Sequence, residues 1–239
     1  MNEAEAEVTD QLDTTRLAGG EARNVRHDSL RITEIFCSLQ GEGRDAGALS
    51  TFVRLTGCPL RCSYCDTTYA FHGGGWQSLD DILASCDDNR APYVCVTGGE
   101  PLAQPNTARL VERLCDNGYQ VSVETAGALD IRPIDTRASR VVDIKTPDSG
   151  EASRNLSSNI AALTDNDQLK FVLCSRTDYE WARDMVVGLE LPPGCPVWFS
   201  PAAGCLDPGQ LGDWMVADRV PARLQLQLHK QLWGDKPGR

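Results

Sequence analysis

The chain of 239 residues lacks any apolar run near the roughly eighteen residues a membrane span needs, so no segment of it reads as one. Its start has neither a basic n-region nor an apolar h-region. No secretory leader is therefore expected, and a cytoplasmic location follows by default. It has no basic stripe, and its formal net charge is −11. That argues against a generalised grip on phosphate backbones and excludes nucleic acid as an expected partner. Large apolar residues are scarce in residues 1–28, where seven acids stand against three arginines. That acidic extension is expected to lack fixed structure, leaving residues 29–239 as a single core domain. No internal repeat appears.

The remainder has an ordinary globular composition, 41% hydrophobic and 24% charged. Ten cysteines in a chain of this kind are expected to stay reduced. Seven of them, Cys37, Cys86, Cys95, Cys115, Cys174, Cys195 and Cys205, are dispersed, and most read as small core residues.

Strand-like runs recur along the chain: "RITEIFCSLQGEG", "LSTFVRLTG", "YVCVTGGEP", "YQVSVETAG", "RVVDIKTPDSG", "QLKFVLCS" and "CPVWFSPAAG". Helices are expected at "SLDDILASC", with a capping box of Ser78 and Asp81, and at "NTARLVERLCDNG", ending on Gly118. Two more are expected at "TDYEWARDMVVG", capped by Thr177 with Glu180, and at "GQLGDWMVAD". "RLQLQLHK" alternates and predicts a last, edge-like strand. Strands alternating with helices imply an α/β fold with a mostly parallel sheet, and the polar motifs fall just after strand ends. In a β/α barrel, complete or partial, those ends share one face, where the active site is built. "DSGEASRNLSSN" is polar and loop-like, which predicts an abbreviated barrel there.

Three cysteines fall within eight residues, Cys58, Cys62 and Cys65, and the loop lacks a fourth. Three thiolates can converge on iron or zinc. A closed zinc site needs one more donor, which His72 or a distant cysteine could supply. A cubane iron–sulfur cluster held at three corners instead keeps one iron open for a small molecule.

The C-x3-C-x2-C spacing with Tyr64 before Cys65, followed by "TGGEP" after the next strand, resembles the signature of radical S-adenosylmethionine (SAM) enzymes. That resemblance implies a partial, abbreviated (β/α)6-type barrel. It also implies a [4Fe-4S] cluster on Cys58, Cys62 and Cys65, and SAM chelated by the open iron and split to a 5′-deoxyadenosyl radical. Cofactor contacts carried over from it are Gly98, Gly99, Glu100, Glu124, Asp143, Ile144, Lys145, Ser200 and Pro201. For the exposed backbone groups of "GGEP" together with Glu100 the expected task is binding the methionine ammonium, and the alternative is a plain tight turn. For Glu124, Asp143 and Lys145 the alternative is ordinary loop charge, with Asp143 paired to Lys145.

"SLQGEG" (38–43), Arg54, "CDT" (65–67) and "QLHK" (227–230) narrow the resemblance to the 7-carboxy-7-deazaguanine synthase family. It covers about residues 31–233. Members convert 6-carboxy-5,6,7,8-tetrahydropterin to 7-carboxy-7-deazaguanine with loss of ammonia, toward queuosine and other deazapurines. The substrate contacts implied are Gln40, the backbone of Leu39 and Gly41, Glu42, Thr97, and Arg54 as a bidentate fork on the carboxylate. Thr67 is implied as a ligand of Mg2+, whose preference is for hard oxygen. His229 is implied to close over the substrate from the last strand. Also implied are an electron donor such as flavodoxin or ferredoxin, and a homodimer. Plainer roles are open: Gln40 and Glu42 as turn residues, Arg54 paired with an acid on a neighbouring strand, Thr67 as a helix cap, His229 as surface. Nine residues follow Lys230. A contact that some members make through the C-terminal carboxylate is therefore not carried over. Competing readings are an activase that installs a glycyl radical on a protein, and a zinc-stabilised binding module without turnover.

Overall fold

A computed structural model describes residues 28–234, 236 and 238. The expectation for the acidic extension falls on residues that lie, apart from Asp28, outside the described ones. Nine strands form one sheet in the order β3-β1-β2-β4-β5-β6-β7-β8-β9. They are β1 (Ser29–Leu39), β2 (Leu49–Leu55), β3 (Gly75–Ser78), β4 (Tyr93–Gly98), β5 (Gln120–Thr125), β6 (Ser139–Ile144), β7 (Gln168–Leu173), β8 (Val197–Pro201) and β9 (Arg223–Leu224). β1 pairs antiparallel with β2 and β3, and every pairing from β2 to β9 is parallel.

The helices are α1 (Leu79–Asn89), α2 (Thr107–Asp116), α3 (Ser158–Ala161), α4 (Arg176–Val187), α5 (Pro208–Asp218) and α6 (Leu228–Trp233). Only two 3-10 turns and the single turn α3 separate β6 from β7. The polar stretch after Pro147 thus abbreviates the barrel, as its composition predicts. None of the helices among the described residues is long and apolar enough to cross a membrane.

Alternation along each strand decides what each face carries, because successive side chains point to opposite sides. One parity packs against helices. Val94, Val96, Val121 and Val123 join Ile82 of α1 and Leu110 and Leu114 of α2 in one core cluster. Ile144, Leu169, Phe171, Val197 and Phe199 join Tyr179 of α4 and Leu211 of α5 in a second. The opposite parity is polar. It runs Arg54 beside Thr97, then Ser122 and Glu124, then Asp143 beside Lys170, and ends near Ser200. A half-buried charged row on the face away from the helices is therefore written into the strands themselves.

Two expectations are corrected. Ser78 does cap α1, accepting from the Asp81 amide at 3.1 Å. The cap of α4, however, is Ser175, which accepts from the Asp178 amide at 3.2 Å. Thr177 lies inside that helix, and Glu180 pairs with Arg176 at 2.8 Å. Ser175 and Asp178 form the same spaced pair two residues earlier, and the earlier frame wins.

The predicted strand over 223–230 shrinks to Arg223–Leu224, and His229 sits in α6. The partner strand explains the stop. The parallel register sets Leu226 beyond Leu224 opposite Pro201, which has no amide hydrogen to donate. The cysteines are free thiols throughout. Of the dispersed seven, Cys86, Cys95 and Cys195 are buried, Cys205 is exposed, and the other three are half-buried.

Candidate active site

The chain leaves β2 at Leu55 and enters the cysteine loop at once. Cys58, Cys62 and Cys65 are half-buried. The loop is held from two sides by main-chain bonds. The Gly57 amide donates to Ala70 at 2.8 Å, the Glu100 amide to Gly57 at 2.8 Å, and the Ser63 amide to Ser149 at 3.0 Å. The Arg61 amide donates to Glu151 Oε1 at 2.6 Å. The 3-10 turns after β6 thus serve as a buttress for the cysteines. Burial pushes the Cys58 and Cys62 thiols up, and the Lys145 ammonium works against that at both.

His72 is exposed at the end of the 3-10 turn Thr68–Phe71. Among the described residues no three His, Cys, Asp or Glu side chains are grouped as the ligands of a single ion. A cubane, larger than one ion, takes its thiolates further apart and suits three cysteines spread over one loop.

Beside the loop, β4 ends in Gly98 and Gly99. A Cβ on Gly98 would lie 2.3 Å from the Leu55 carbonyl oxygen, and φ there is +149°. A Cβ on Gly99 would lie 2.3 Å from the Gly57 oxygen and 2.7 Å from Cys58 Cβ. Only glycine lets β4 approach the cysteine loop this closely. Gly99→Ala is therefore expected to push Cys58 out of place. It should lower stability by about 1–3 kcal/mol, as overpacking does, and lower the iron content of reconstituted protein in parallel. Thermal melts together with iron analysis check this, and unchanged values for both would show that the contact can relax.

Glu100 is placed differently from expectation. Its side chain is fully buried and accepts from the Leu102 amide at 2.9 Å, the Ala126 amide at 2.7 Å and the Thr125 hydroxyl at 2.9 Å. Burial pushes its carboxyl up against these donors. The carboxylate ties the end of β4 to the end of β5, so its side chain does not open toward a bound ammonium. Ile144 also turns away, its side chain lying in the core with Phe171. Both residues have only main-chain groups to offer at the strand ends.

The charged row opens beyond Gly98. Arg54 donates through Nε to Glu34 Oε1 at 2.7 Å, across the antiparallel pair that sets the two residues opposite each other. Tyr69 donates its hydroxyl to the same oxygen at 2.8 Å. The Arg54 guanidinium stands 5.9 Å from the ring centres of both Phe36 and Tyr69. The alternative of a neighbouring-strand acid is thus real, but it occupies only the Nε edge. Thr97 donates to Glu124 Oε2 at 3.0 Å. Burial, then the charge of Glu42, pushes the Glu124 carboxyl up. Lys145 donates to Asp143 Oδ2 at 2.9 Å, the pairing weighed as the plain alternative. Asp143 Oδ1 and the Tyr64 hydroxyl are nevertheless buried without a partner among the described residues. Two orphaned polar atoms beside the cysteine loop mark where a polar cofactor fits. Ser200 is buried and accepts from Gln225 Nε2 at 3.2 Å, next to Pro201 at the end of β8.

The loop from Leu39 to Gly47 crosses this face. The Gln40 amide donates to Ala48 at 2.8 Å, and the Gly47 amide donates back to Gln40 at 2.8 Å. Gln40 Oε1 accepts the Glu42 amide at 3.2 Å. Arg44 ties the loop to the far strands, donating to the Asp165 carbonyl at 3.1 Å and the Gly194 carbonyl at 2.9 Å. Glu42 is ion-paired with Lys170 and accepts from Gln225 Nε2 at 3.1 Å and Gln227 Nε2 at 2.8 Å. Burial alone would raise the Glu42 carboxyl, but Lys170 and Gln227 hold it below its ordinary value. A small cavity remains under the loop, lined by Gln40, Glu42, Asp45, Glu124, Gln168 and Lys170.

α6 closes one side. A Cβ on Gly41 would meet His229 Nδ1 at 2.0 Å, so the imidazole lies flush on the glycine. Burial holds that imidazole below its usual value. Lys230 Nζ donates to Asp66 Oδ2 at 2.9 Å, joining the helix to the cysteine loop. Thr67 occupies the cap position of its 3-10 turn without a side-chain cap bond, and its hydroxyl donates to Asp66 Oδ1 at 2.9 Å.

The structure therefore sets Gln40, Glu42 and Glu124 around the cavity, with Arg54 beside Thr97 and Asp143, bonded to Lys145, along the same face of the sheet, and His229 packed on Gly41. Sequence reasoning missed Lys170, Gln168, Gln225, Gln227 and Asp66. Lys170 had a signal, a cation of the polar parity inside a buried strand. Gln225 and Gln227 fall in the alternating run that predicts a strand, which gives no sign of their bonds to Glu42.

Comparison with known proteins agrees with this geometry. The radical SAM superfamily pattern matches residues 52–143. The 7-carboxy-7-deazaguanine synthase of Chlorobaculum tepidum is 43% identical over 207 residues, covering 85% of this chain and 94% of the relative. The synthase of Koribacter versatilis is 41% identical over 221 residues, covering 85% and 97%. The crystal structure of QueE from Escherichia coli aligns with a TM-score of 0.72 at 23% identity, covering 89% of this chain and 100% of that one, a likeness of fold.

Proposed function

We infer, for a chain that belongs to the 7-carboxy-7-deazaguanine synthase family of radical SAM enzymes, that the chamber under the strand ends is where 6-carboxy-5,6,7,8-tetrahydropterin becomes 7-carboxy-7-deazaguanine with loss of ammonia. The observation that carries the reading is a loop of three half-buried free cysteines set beside a half-buried charged row at the strand ends. When bound, the cluster and SAM supply a radical able to take hydrogen from C6 of the pterin.

The chain's own residues do the rest. Cys58, Cys62 and Cys65 hold three corners of the cluster. Gly98 and Gly99 bring main-chain groups, with those of Glu100 and Ile144, close to the methionine end. Asp143 Oδ1 is the orphaned acceptor for a cofactor hydroxyl or ammonium, with Lys145 fixing its orientation. Glu124, Ser200 and Pro201 complete the cofactor side.

On the substrate side, Gln40 and the main chain of Leu39 and Gly41 read the amide and amine edge of the pterin, with Glu42 as a further acceptor. Arg54 meets Glu34 through Nε, leaving its terminal nitrogens to form the fork for the carboxylate. Thr97 borders the ring, and His229 closes over it from α6 rather than from a strand. Thr67 offers a hard oxygen suited to Mg2+ beside that carboxylate. A ferredoxin- or flavodoxin-like donor, a homodimer and a cytoplasmic setting complete the proposal.

Anaerobic incubation of the reconstituted protein with SAM, a reductant and the carboxypterin tests the reading. Formation of 7-carboxy-7-deazaguanine and ammonia is expected. SAM cleavage without any deazaguanine would contradict the substrate assignment while leaving the radical chemistry in place.

A further inference from the structure

Lys170 takes no part in the roles assigned so far, yet it lines the cavity and is ion-paired with Glu42 there. Two carboxylates face that space from different elements, Glu42 from the loop after β1 and Glu124 from β5. The side chains of Glu42 and Lys170 are 13% and 14% exposed, so water screens their charges little. The other charged groups around them are accounted for. Arg54 on β2 is paired with Glu34, and Lys145, just past the end of β6, is paired with Asp143. His229 on α6 faces Glu42, and Asp45 lines the same cavity. Among the described residues Glu124 has only the Thr97 hydroxyl as a hydrogen-bond partner. Lys170 on β7 is thus the cation that meets Glu42, and it also faces Glu124 and Asp143.

We propose that Lys170 is a positioning residue for the substrate chamber, the counter-ion that holds Glu42 as an oriented anion for the substrate despite the neighbouring carboxylate of Glu124. The inference rests on the chamber being the pterin site. Its physics is that of two like charges facing one poorly hydrated space, where each carboxylate disfavours ionisation of the other unless a cation stands between them. With Lys170 in place, Glu42 is fixed by three donors, the ammonium, Gln225 and Gln227. Its anionic oxygens can then accept from an N–H edge. Without Lys170 the pair of carboxylates would keep a proton at neutral pH and present an O–H where the ligand needs an acceptor.

The test is equilibrium binding of the carboxypterin by anaerobic calorimetry, using cluster-loaded, SAM-bound protein without reductant, so that nothing turns over. Wild type should bind with little pH dependence between about pH 6 and 8, because Glu42 is already an anion across that range. Lys170→Met should weaken binding about tenfold or more near pH 6 and recover part of that loss as pH rises and the shared proton leaves. Lys170→Arg keeps the charge and should keep the flat profile. The double variant Glu42→Gln/Lys170→Met removes both charges and should also be flat. Lys170→Gln carries the same prediction as Lys170→Met if the methionine variant does not fold. A pH-flat loss in Lys170→Met, or binding within about twofold of wild type, overturns the proposal. If wild type itself does not bind the pterin, the chamber reading fails. If wild type binds and Lys170→Met follows it, only the role of Lys170 fails.

Discussion

Replacing Cys62 by alanine is expected to leave a folded chain that carries no intact cluster and forms no product. Cys62 is half-buried and contributes little to either core cluster, so stability should fall by no more than about 1 kcal/mol. The loop around it is held by main-chain bonds from Gly57, Ser63 and Glu100, none of which uses the thiol. Catalysis depends on the thiol completely. A cluster held at two corners is not held at all, and the loss should far exceed the roughly 10–100-fold typical of changes outside the ligand set. Iron and sulfide analysis after anaerobic reconstitution, beside a thermal melt, separates the two effects. A variant with normal iron, normal sulfide and measurable turnover would remove Cys62 from the ligands.

The second large effect is at Arg54, where lysine is expected to weaken carboxypterin binding by about 10–100-fold, or roughly 1.4–3 kcal/mol. The guanidinium has two separate tasks. Its Nε edge meets Glu34, where Tyr69 also donates, and its flanks rest near Phe36 and Tyr69. Its terminal nitrogens remain for a carboxylate. A lysine ammonium can satisfy Glu34 or the ligand, but it has no second edge with which to do both. Stability should change little, since the Arg54–Glu34 pair still has water at its edge, 16% and 29% exposed. Calorimetry of Arg54→Lys with the carboxypterin decides the matter. Unchanged affinity would leave Arg54 as a partner of Glu34 and nothing more.

Much of the architecture was legible because two periodicities are strong here. Val94, Val96, Val121 and Val123 alternate with Cys95, Ser122 and Glu124, which sets the strand, its faces and the polar row together. The cysteine loop and the glycine pair were legible for a different reason: they are chemical constraints that a local spacing expresses in full. What stayed hidden is set by distant partners. Nothing near Glu100 foretells that Thr125 and the Ala126 amide will enclose its carboxylate. The alternation of "RLQLQLHK" describes a pleat but cannot say that Pro201 stops the ladder, or that His229 will be delivered by a helix onto Gly41. Lys170 was hidden because its meaning depends on Glu42, which reaches it from a loop 128 residues earlier.

The central claim is a cubane that the protein grips by three thiolates, with the remaining iron left to SAM. Mössbauer spectroscopy of anaerobically reconstituted, iron-57-labelled protein tests it directly. Adding SAM should shift the signal of one iron and leave three unchanged. Four irons that ignore SAM, or protein that retains a single zinc and no sulfide, would contradict the account.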